Sequence, residues 1–282
     1  MTKIATIIAY RNTPDMVESQ IIQIEKMLER VDAENDFVIV NMGVEKHYFD
    51  TIHIYEKEFK GKLYGHWIGL KSIKDKDKYD YYWFNHPDIS FAVDMNCLPK
   101  LVRVMREVNR IGLLSPVQNP PHWFPDMYRK NRIWHPVGVC NYLSYFIRKD
   151  VIKKVGFMSP EFKYVRGAPI EYCYKIWKAG WMVAYCDIAK IFHFGGTTYG
   201  GKDTPSREEY LRKAVEFARK YFEDKYGKDW DKEFAKVLPD DAWRGIYTFH
   251  KRGWENWKLA RILRKPFRRG ILARVIGGII WQ

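Results

Sequence analysis

Four short segments carry the side-chain types from which a binding or catalytic site is built: Tyr10-Arg11-Asn12, Asn41-Met42-Gly43, Asn85-His86-Pro87-Asp88-Ile89 and His193-Phe194-Gly195-Gly196. Each follows an apolar or aromatic run that reads as a β-strand. Open α/β sheets bind ligands outside the carboxyl ends of their strands, so all four segments are expected along one edge. Asp88 and His193 would then converge on one ion. A carboxylate with an imidazole suits Mn²⁺ or Mg²⁺, with pyrophosphate oxygens and water in the remaining positions. Each residue also has a plainer reading alone: Asp88 as a turn residue behind Pro87, His193 as a strand-end histidine hydrogen-bonded locally. Their joint placement favours the ion.

The elements that must position these residues alternate along the chain. Ile4 to Ala9 is a short β-branched run expected as the first buried strand, too short for a signal peptide. Thr13 can cap the next helix with Pro14 at its first position, and Val17, Ile21, Ile24 and Leu28 give it one apolar face. Strands are expected at 37–40, 51–55, 79–84, near 112–115, over 139–147 and within 182–193, with helices at 63–73, 98–108 and 169–179. This alternation predicts an α/β sandwich with a largely parallel sheet.

Residues 116 to 136 interrupt the pattern. Pro116, Pro120, Pro121, Pro125 and Pro136 argue against regular structure there, and long loops in compact domains tend to be functional. The indoles of Trp123 and Trp134 are candidates for the wall of a binding site, since ring faces pack on C–H surfaces while the N–H reaches hydroxyls. The plainer reading has both plugging the core beneath a proline-rich loop.

From residue 204 the character changes. Ser206 and Glu209 form a capping box ahead of an amphipathic helix through Leu211, Ala214, Val215, Ala218, Tyr221 and Phe222, ended by Gly227. The whole chain has 48 Lys and Arg against 34 acids, a net charge of +14. Residues 251–282 hold nine Lys or Arg and one acid, interleaved with Leu, Ile, Phe and Trp. That composition suits an interfacial helix pair, broken at Pro266, on an anionic membrane surface; the alternative is a solvated face packed on the preceding domain. Charge alone also suggests nucleic acid, but no zinc-finger, RNP or helix-turn-helix signature accompanies it, and no nucleic-acid partner is expected. The four cysteines are scattered and form no C-x-x-C pair, which fits a reducing compartment and a cytoplasmic chain. No apolar run approaches the length of a transmembrane helix.

Several of these segments resemble the family 2 inverting glycosyltransferases of the GT-A fold, over about residues 3 to 200. Ile4 to Asn12 looks like their opening strand and nucleotide-contacting turn. Gly65-His66-Trp67-Ile68-Gly69-Leu70 is similar to the segment before their metal strand, and Asn85-His86-Pro87-Asp88 stands at their DxD motif. Gly156-Phe157 and the run from Glu171 to Trp181 look like their acceptor-side helix, and His193 with Gly196 like the histidine-glycine pair that follows.

The resemblance implies a GT-A type three-layer sandwich, Rossmann-like with a mostly parallel sheet, in a catalytic domain over 1–203. Residues 204–282 would be a helical extension with a basic amphipathic tail. It implies a nucleoside-diphosphate sugar donor, a glycan or lipid-linked acceptor, and Mn²⁺ or Mg²⁺ held by Asp88 with His193. Tyr10, Asn12, Asn41 and Gly65 would contact the donor nucleotide, and His86 would ligate the ion or touch the donor. Asn41 replaces an aspartate that usually accepts a hydrogen bond from the base. Ala168-Pro169 stands at the family's Glu-Asp pair, where the general base is usual, and neither residue accepts a proton. Glu171, in the first turn of its helix where the dipole favours a carboxylate, is the remaining candidate for the base. The same substitutions leave open a catalytically degenerate sugar-nucleotide-binding or assembly protein.

Overall fold

The structure, a computed structural model, describes residues 1–43, 52–56, 60–119, 132–162, 165–195 and 206–237. The chain divides into two compact units, Met1–Trp243 and Arg244–Gln282. The second unit lies outside the described residues, and with it the basic stretch 251–282. Trp123 lies outside them too.

The first half runs β1 (Thr2–Tyr10), α1 (Pro14–Leu28), β2 (Ala33–Asn41), β3 (Ile52–Tyr55), α2 (Lys62–Ser72), β4 (Tyr81–Asn85) and β5 (Ile89–Ser90). Then come α3 (Cys97–Glu107), β6 (Ile111–Gln118), β7 (His135–Pro136), β8 (Ser144–Arg148), α4 (Lys149–Val155), α5 (Ala168–Lys178), β9 (Met182–His193), α6 (Arg207–Tyr226) and α7 (Trp230–Ala235). The strands form one sheet in the order β3-β2-β1-β4-β8-β6-β9-β5, with β7 on β9. β1 is parallel to β2 and β4, β3 to β2, and β6 to β9, while β8 is antiparallel to both neighbours. The carboxyl ends of β1, β2, β4, β6 and β9 therefore share one edge.

Helices cover both faces, because β1 and β4 are buried on both sides. One face packs Ile4, Ile8, Tyr81 and Trp83 against Val17, Ile24 and Met27 of α1 and Leu98, Leu101 and Met105 of α3. The other face receives α2, whose glycines let it sit close. A Cβ on Gly65 would lie 2.7 Å from that of Ala9, and one on Gly69 would lie 2.7 Å from Ile7 Cγ2. Gly65 is thus a contact between helix and sheet, buried beneath the edge where a nucleotide contact was expected.

Three other expectations change. Thr13 precedes α1 with Pro14 at the first helical position, yet its side chain makes no capping bond. Pro116, expected to end regular structure, lies inside β6, at a shift in register where Pro116 faces Cys186 and Val117 faces Lys190. An irregularity is where a strand tolerates a residue without an N–H. Strand β8 begins only at Ser144, five residues later than the apolar run suggests.

At the far end of the described chain, Ser206 Oγ accepts the Glu209 N–H at 3.2 Å and starts α6. Its buried Ala214, Ala218 and Phe222 follow at helical spacing. Gly167, at φ 97°, brings the start of α5 so near α6 that a Cβ there would be 2.8 Å from that of Ala218. Replacing Gly65 by Val should cost about 1–3 kcal/mol by overpacking. Urea denaturation measures it, and an unchanged midpoint would contradict the close approach of α2.

Candidate metal centre at the carboxyl edge of the sheet

The chain leaves β4 at Asn85, turns through His86-Pro87-Asp88, and rejoins the sheet as β5 against the end of β9. There Ile89 pairs with His193, and the Phe194 N–H bonds to the Asp88 carbonyl at 3.0 Å. Residues 105 positions apart are so brought into contact. Asp88 Oδ2 lies 3.3 Å from His193 Nε2, and its Oδ1 meets His86 Nδ1. One ligand atom from each of His86, Asp88 and His193 lies within 4.8 Å of the other two. Asp88 is 2 % exposed, whereas the two imidazoles reach the surface, at 15 % and 21 % of their side chains.

The turn is held from several directions. The His86 N–H bonds to the Leu143 carbonyl at 2.8 Å. Gln20, fully buried on α1, donates its amide to the His86 and Pro87 carbonyls, both at 2.8 Å. From the opposite face, His66 Nε2 is 3.1 Å from the Asn85 carbonyl, and its Nδ1 meets the Tyr142 hydroxyl. A carbonyl only accepts, so Nε2 carries the proton and Nδ1 accepts from the phenol. Trp83 Nε1 donates to Ser144 Oγ at 2.8 Å, which donates to Asn85 Oδ1 at 2.7 Å. Burial, aided by the Lys62 charge one helical turn earlier, pushes the His66 imidazole down to about 3. Lys62 itself is pushed down to about 8 by burial, opposed by the Asp88 carboxylate.

Beyond this centre, the same edge carries a second polar cluster. Asn41 is fully buried, and its Oδ1 accepts the Gly43 N–H at 2.8 Å. Asn12 is exposed in a left-handed conformation at φ 54°, which asparagine tolerates. A Cβ on Gly43 would lie 2.6 Å from Asn12 Oδ1. Tyr10 ends β1 within the main core; burial raises its phenol to about 12, while a hydrogen bond with Asn41 opposes the rise.

Two expected site residues are engaged elsewhere. Trp134 is partly buried and packs against the main core. Glu171 does start α5, but its side chain is only 1 % exposed. Its Oε1 accepts from Tyr226 at 2.7 Å and Tyr221 at 3.1 Å, and lies 3.1 Å from Lys175 Nζ and 3.0 Å from Lys225 Nζ. Burial would raise its pKa, but the bonds from Tyr226 and Lys225 and the Lys175 charge outweigh burial and leave it lowered. A carboxylate so stabilised is a poor proton acceptor. It ties α6 to α5.

Sequence reasoning passed over Gln20 and Lys62. Gln20 had a signal, a polar residue three positions from Val17 and four from Ile24 on the core-facing side of α1. Lys62 had none, because a lysine at a helix start is ordinary.

No protein-family model matches the chain, and no curated protein matches it in sequence. Among solved structures it is similar to S. aureus TarS 1-349, with TM-score 0.59 and 11% identity over 89% of this chain and 73% of that one. It is also similar to the mannosyltransferase PcManGT from Pyrobaculum calidifontis in complex with GDP-Man and Mn²⁺, at 0.57 and 12% over 98% and 78%. A third likeness is to GalNAc-T7 with UDP, GalNAc and Mn²⁺, at 0.53 and 11% over 89% of this chain and 58% of that one. These likenesses show the fold: an α/β sandwich of the GT-A type, as the sequence resemblance implies.

Two outcomes follow from the buried groups. Below about pH 6.5 the unfolded chain protonates at His66 and the folded chain does not. Stability should therefore fall on acidification, by up to about 1.4 kcal/mol per pH unit until the folded group titrates. Urea midpoints at pH 7.5 and 5.5 should converge more in His66→Asn than in the wild type; equal pH dependence would refute this. Glu171→Ala should cost about 3–5 kcal/mol, as expected when one partner of a buried ion pair is removed.

Proposed function

We propose that the chain is a metal-dependent, inverting glycosyltransferase that moves a sugar from a nucleoside-diphosphate sugar to the hydroxyl of a glycan or lipid-linked acceptor. The observation that carries this reading is the His86, Asp88 and His193 cluster at the carboxyl edge of a GT-A type sheet. The donor set fits a divalent ion: one carboxylate oxygen ligand, two nitrogen ligands, and imidazoles exposed enough to admit a ligand. When bound, the ion supplies positive charge against the charge that builds on the departing diphosphate.

In this reading Asp88 and His193 hold the ion and His86 completes the protein's share. Lys62, whose charge is felt at Asp88, adds a cation beside the diphosphate. Asn12 faces the nucleotide, Gly43 keeps the backbone low enough to admit it, and the buried Asn41 holds the Gly43 N–H in place. Tyr10 supports this pocket from the core. The acceptor oxygen attacks the anomeric carbon, the bond from that carbon to the nucleoside diphosphate breaks on the opposite face, and the hydroxyl proton passes to solvent water. Glu171 serves as a strut for α6 rather than as the base for the acceptor's proton. The net +8 of residues 251–282 extends the reading to an anionic membrane surface near the acceptor.

A second reading, a sugar-nucleotide binder without turnover, is favoured by one observation. Ala168 and Pro169 offer no carboxylate, and Glu171 is engaged by four donors. Release of nucleoside diphosphate from a panel of donor sugars with Mn²⁺ separates the two.

Asp88→Ala should lower ion-dependent release by about 10²-fold or more, as for loss of a charge-stabilising group, with acceptor binding nearly unchanged. Undiminished ion-dependent release would remove Asp88 from the site. Truncation at residue 250 should abolish co-sedimentation with anionic liposomes; retention would remove the membrane from the reading.

A further inference from the structure

We propose that the outer face of α2 binds an anionic glycan: Tyr64 and Trp67 pack on its sugar rings, and Lys60 and Lys71 hold its acidic groups. From the transferase reading above this takes only the choice of a glycan over other polyanions.

The two faces of α2 are unlike. Leu63, Gly65, His66, Gly69 and Leu70 are buried, and the two glycines let that side lie close against the sheet. On the other side Lys60, Tyr64, Trp67 and Lys71 follow one another at steps of four, three and four residues, which keep them on one helical stripe. The lysines are exposed and the rings partly buried. Tyr64 and Trp67 lie 6.2 Å apart with their planes at 27°. Lys60 Nζ stands 5.2 Å from the centre of the Tyr64 ring, and Lys71 Nζ 5.4 Å from that of Trp67. Both distances are those of a cation–π contact.

A helix face turned only to water commonly pairs its basic residues with acids one turn away. α6 does so, with Lys213 on Glu209 and Arg212 on Glu216. Residues 60–74 instead hold four lysines and no acid. Rings stand where those acids would, and the positive charge is not compensated within the segment.

Charge and rings together select the occupant. The lysines call for an anion. A bilayer surface also offers anions, but an interfacial helix buries exposed apolar side chains in it. The strongly exposed ones among the described residues, Met1, Ile22, Val93, Ile133 and Phe194, all lie outside α2. A sugar bearing acidic groups satisfies both halves of the stripe at once. Its C–H faces pack on aromatic rings, and its anions meet ammonium groups. The position suits a long acceptor. The stripe starts beside Lys62, whose charge is felt at Asp88, and runs along α2 for about 16 Å. A polymer reacting at the edge can lay its body there.

The test is acetylation footprinting of lysines on the full chain, without divalent ions, read residue by residue by mass spectrometry. Reading each lysine separates the stripe from polyanion binding by the basic residues 251–282. Saturating polygalacturonate should slow acetylation of Lys60 and Lys71 by at least about tenfold, as where less than a tenth of the site stays free. Neutral dextran should leave both rates unchanged. Trp67→Ala should raise the polygalacturonate needed for half protection by at least about threefold, while the weaker protection by polyphosphate stays the same. The proposal is overturned if polygalacturonate leaves the two lysines unprotected, or if folded Trp67→Ala keeps the wild-type requirement. It is also overturned if polyphosphate, a single-stranded oligonucleotide or anionic vesicles protect them as well at equal charge. Should Trp67→Ala fail to fold, Lys71→Glu, at an exposed position, takes its place. It should raise the requirement at Lys60 by about threefold, and no rise overturns the proposal.

No donor and no turnover enter this readout. Ring-dependent protection in a chain that releases no nucleoside diphosphate would keep this surface and remove the transferase. Release by a chain whose stripe stays unprotected would keep the transferase and remove the surface.

Discussion

A carboxylate that is 2 % exposed stays ionised only if donors or cations surround it, because an isolated buried charge is very costly. Asp88 meets this constraint with one imidazole on each oxygen, and much of the fold's edge exists to keep them there. β4 must stop at Asn85, the turn must cross to β9, and β9 must end at His193. The antiparallel β8 and the register shift between β6 and β9 set where that end falls. A divalent ion suits the same arrangement, replacing contacts between ligands by bonds to a common centre.

The support for this turn comes from both helical layers. Gln20 reaches it from α1, and His66 from α2 on the opposite face. These are buried polar groups, and each would be a liability unpaired. They are tolerated because each donates to a carbonyl at the turn or at the end of β4. α2 reaches the sheet closely enough for His66 to bond only because Gly65 and Gly69 carry no side chains. The packing of an entire helix is thereby linked to the position of one carbonyl.

Glu171 shows the same physics turned to a different end. It occupies the first turn of α5, where a carboxylate benefits from the helix dipole, and burial there demands compensation. Tyr221, Tyr226, Lys175 and Lys225 supply it, and three of those four belong to α6. The aromatic stacks of Phe222 on Trp230 and Tyr174 on Phe234 continue the contact through α7. A residue type suited to proton transfer is thus surrounded by donors that hold its carboxyl below the usual range, an environment that residue type and helix position alone do not reveal.

The strands and helices were legible because their signals are local. Periodic apolar residues in α1 and α3, the β-branched run of β1 and the Ser206 cap all act within a few residues of themselves. The common edge for Asn12, Asn41, Asp88 and His193 was legible as well, since parallel strands joined by helices put their carboxyl ends together. Pairing decided the rest. That β6 continues through Pro116 depends on its register with β9, and that Trp134 faces the core depends on how its segment packs. His86 comes within reach of His193 only because β5 lies on β9, and Glu171 gains its donors only because α6 lies on α5. The sequence by itself determined which elements form and which edge collects the polar residues, through propensity, spacing and topology. Only the tertiary structure decided which of those residues cluster and which are held by neighbours, because side-chain contact and pKa depend on groups far apart along the chain.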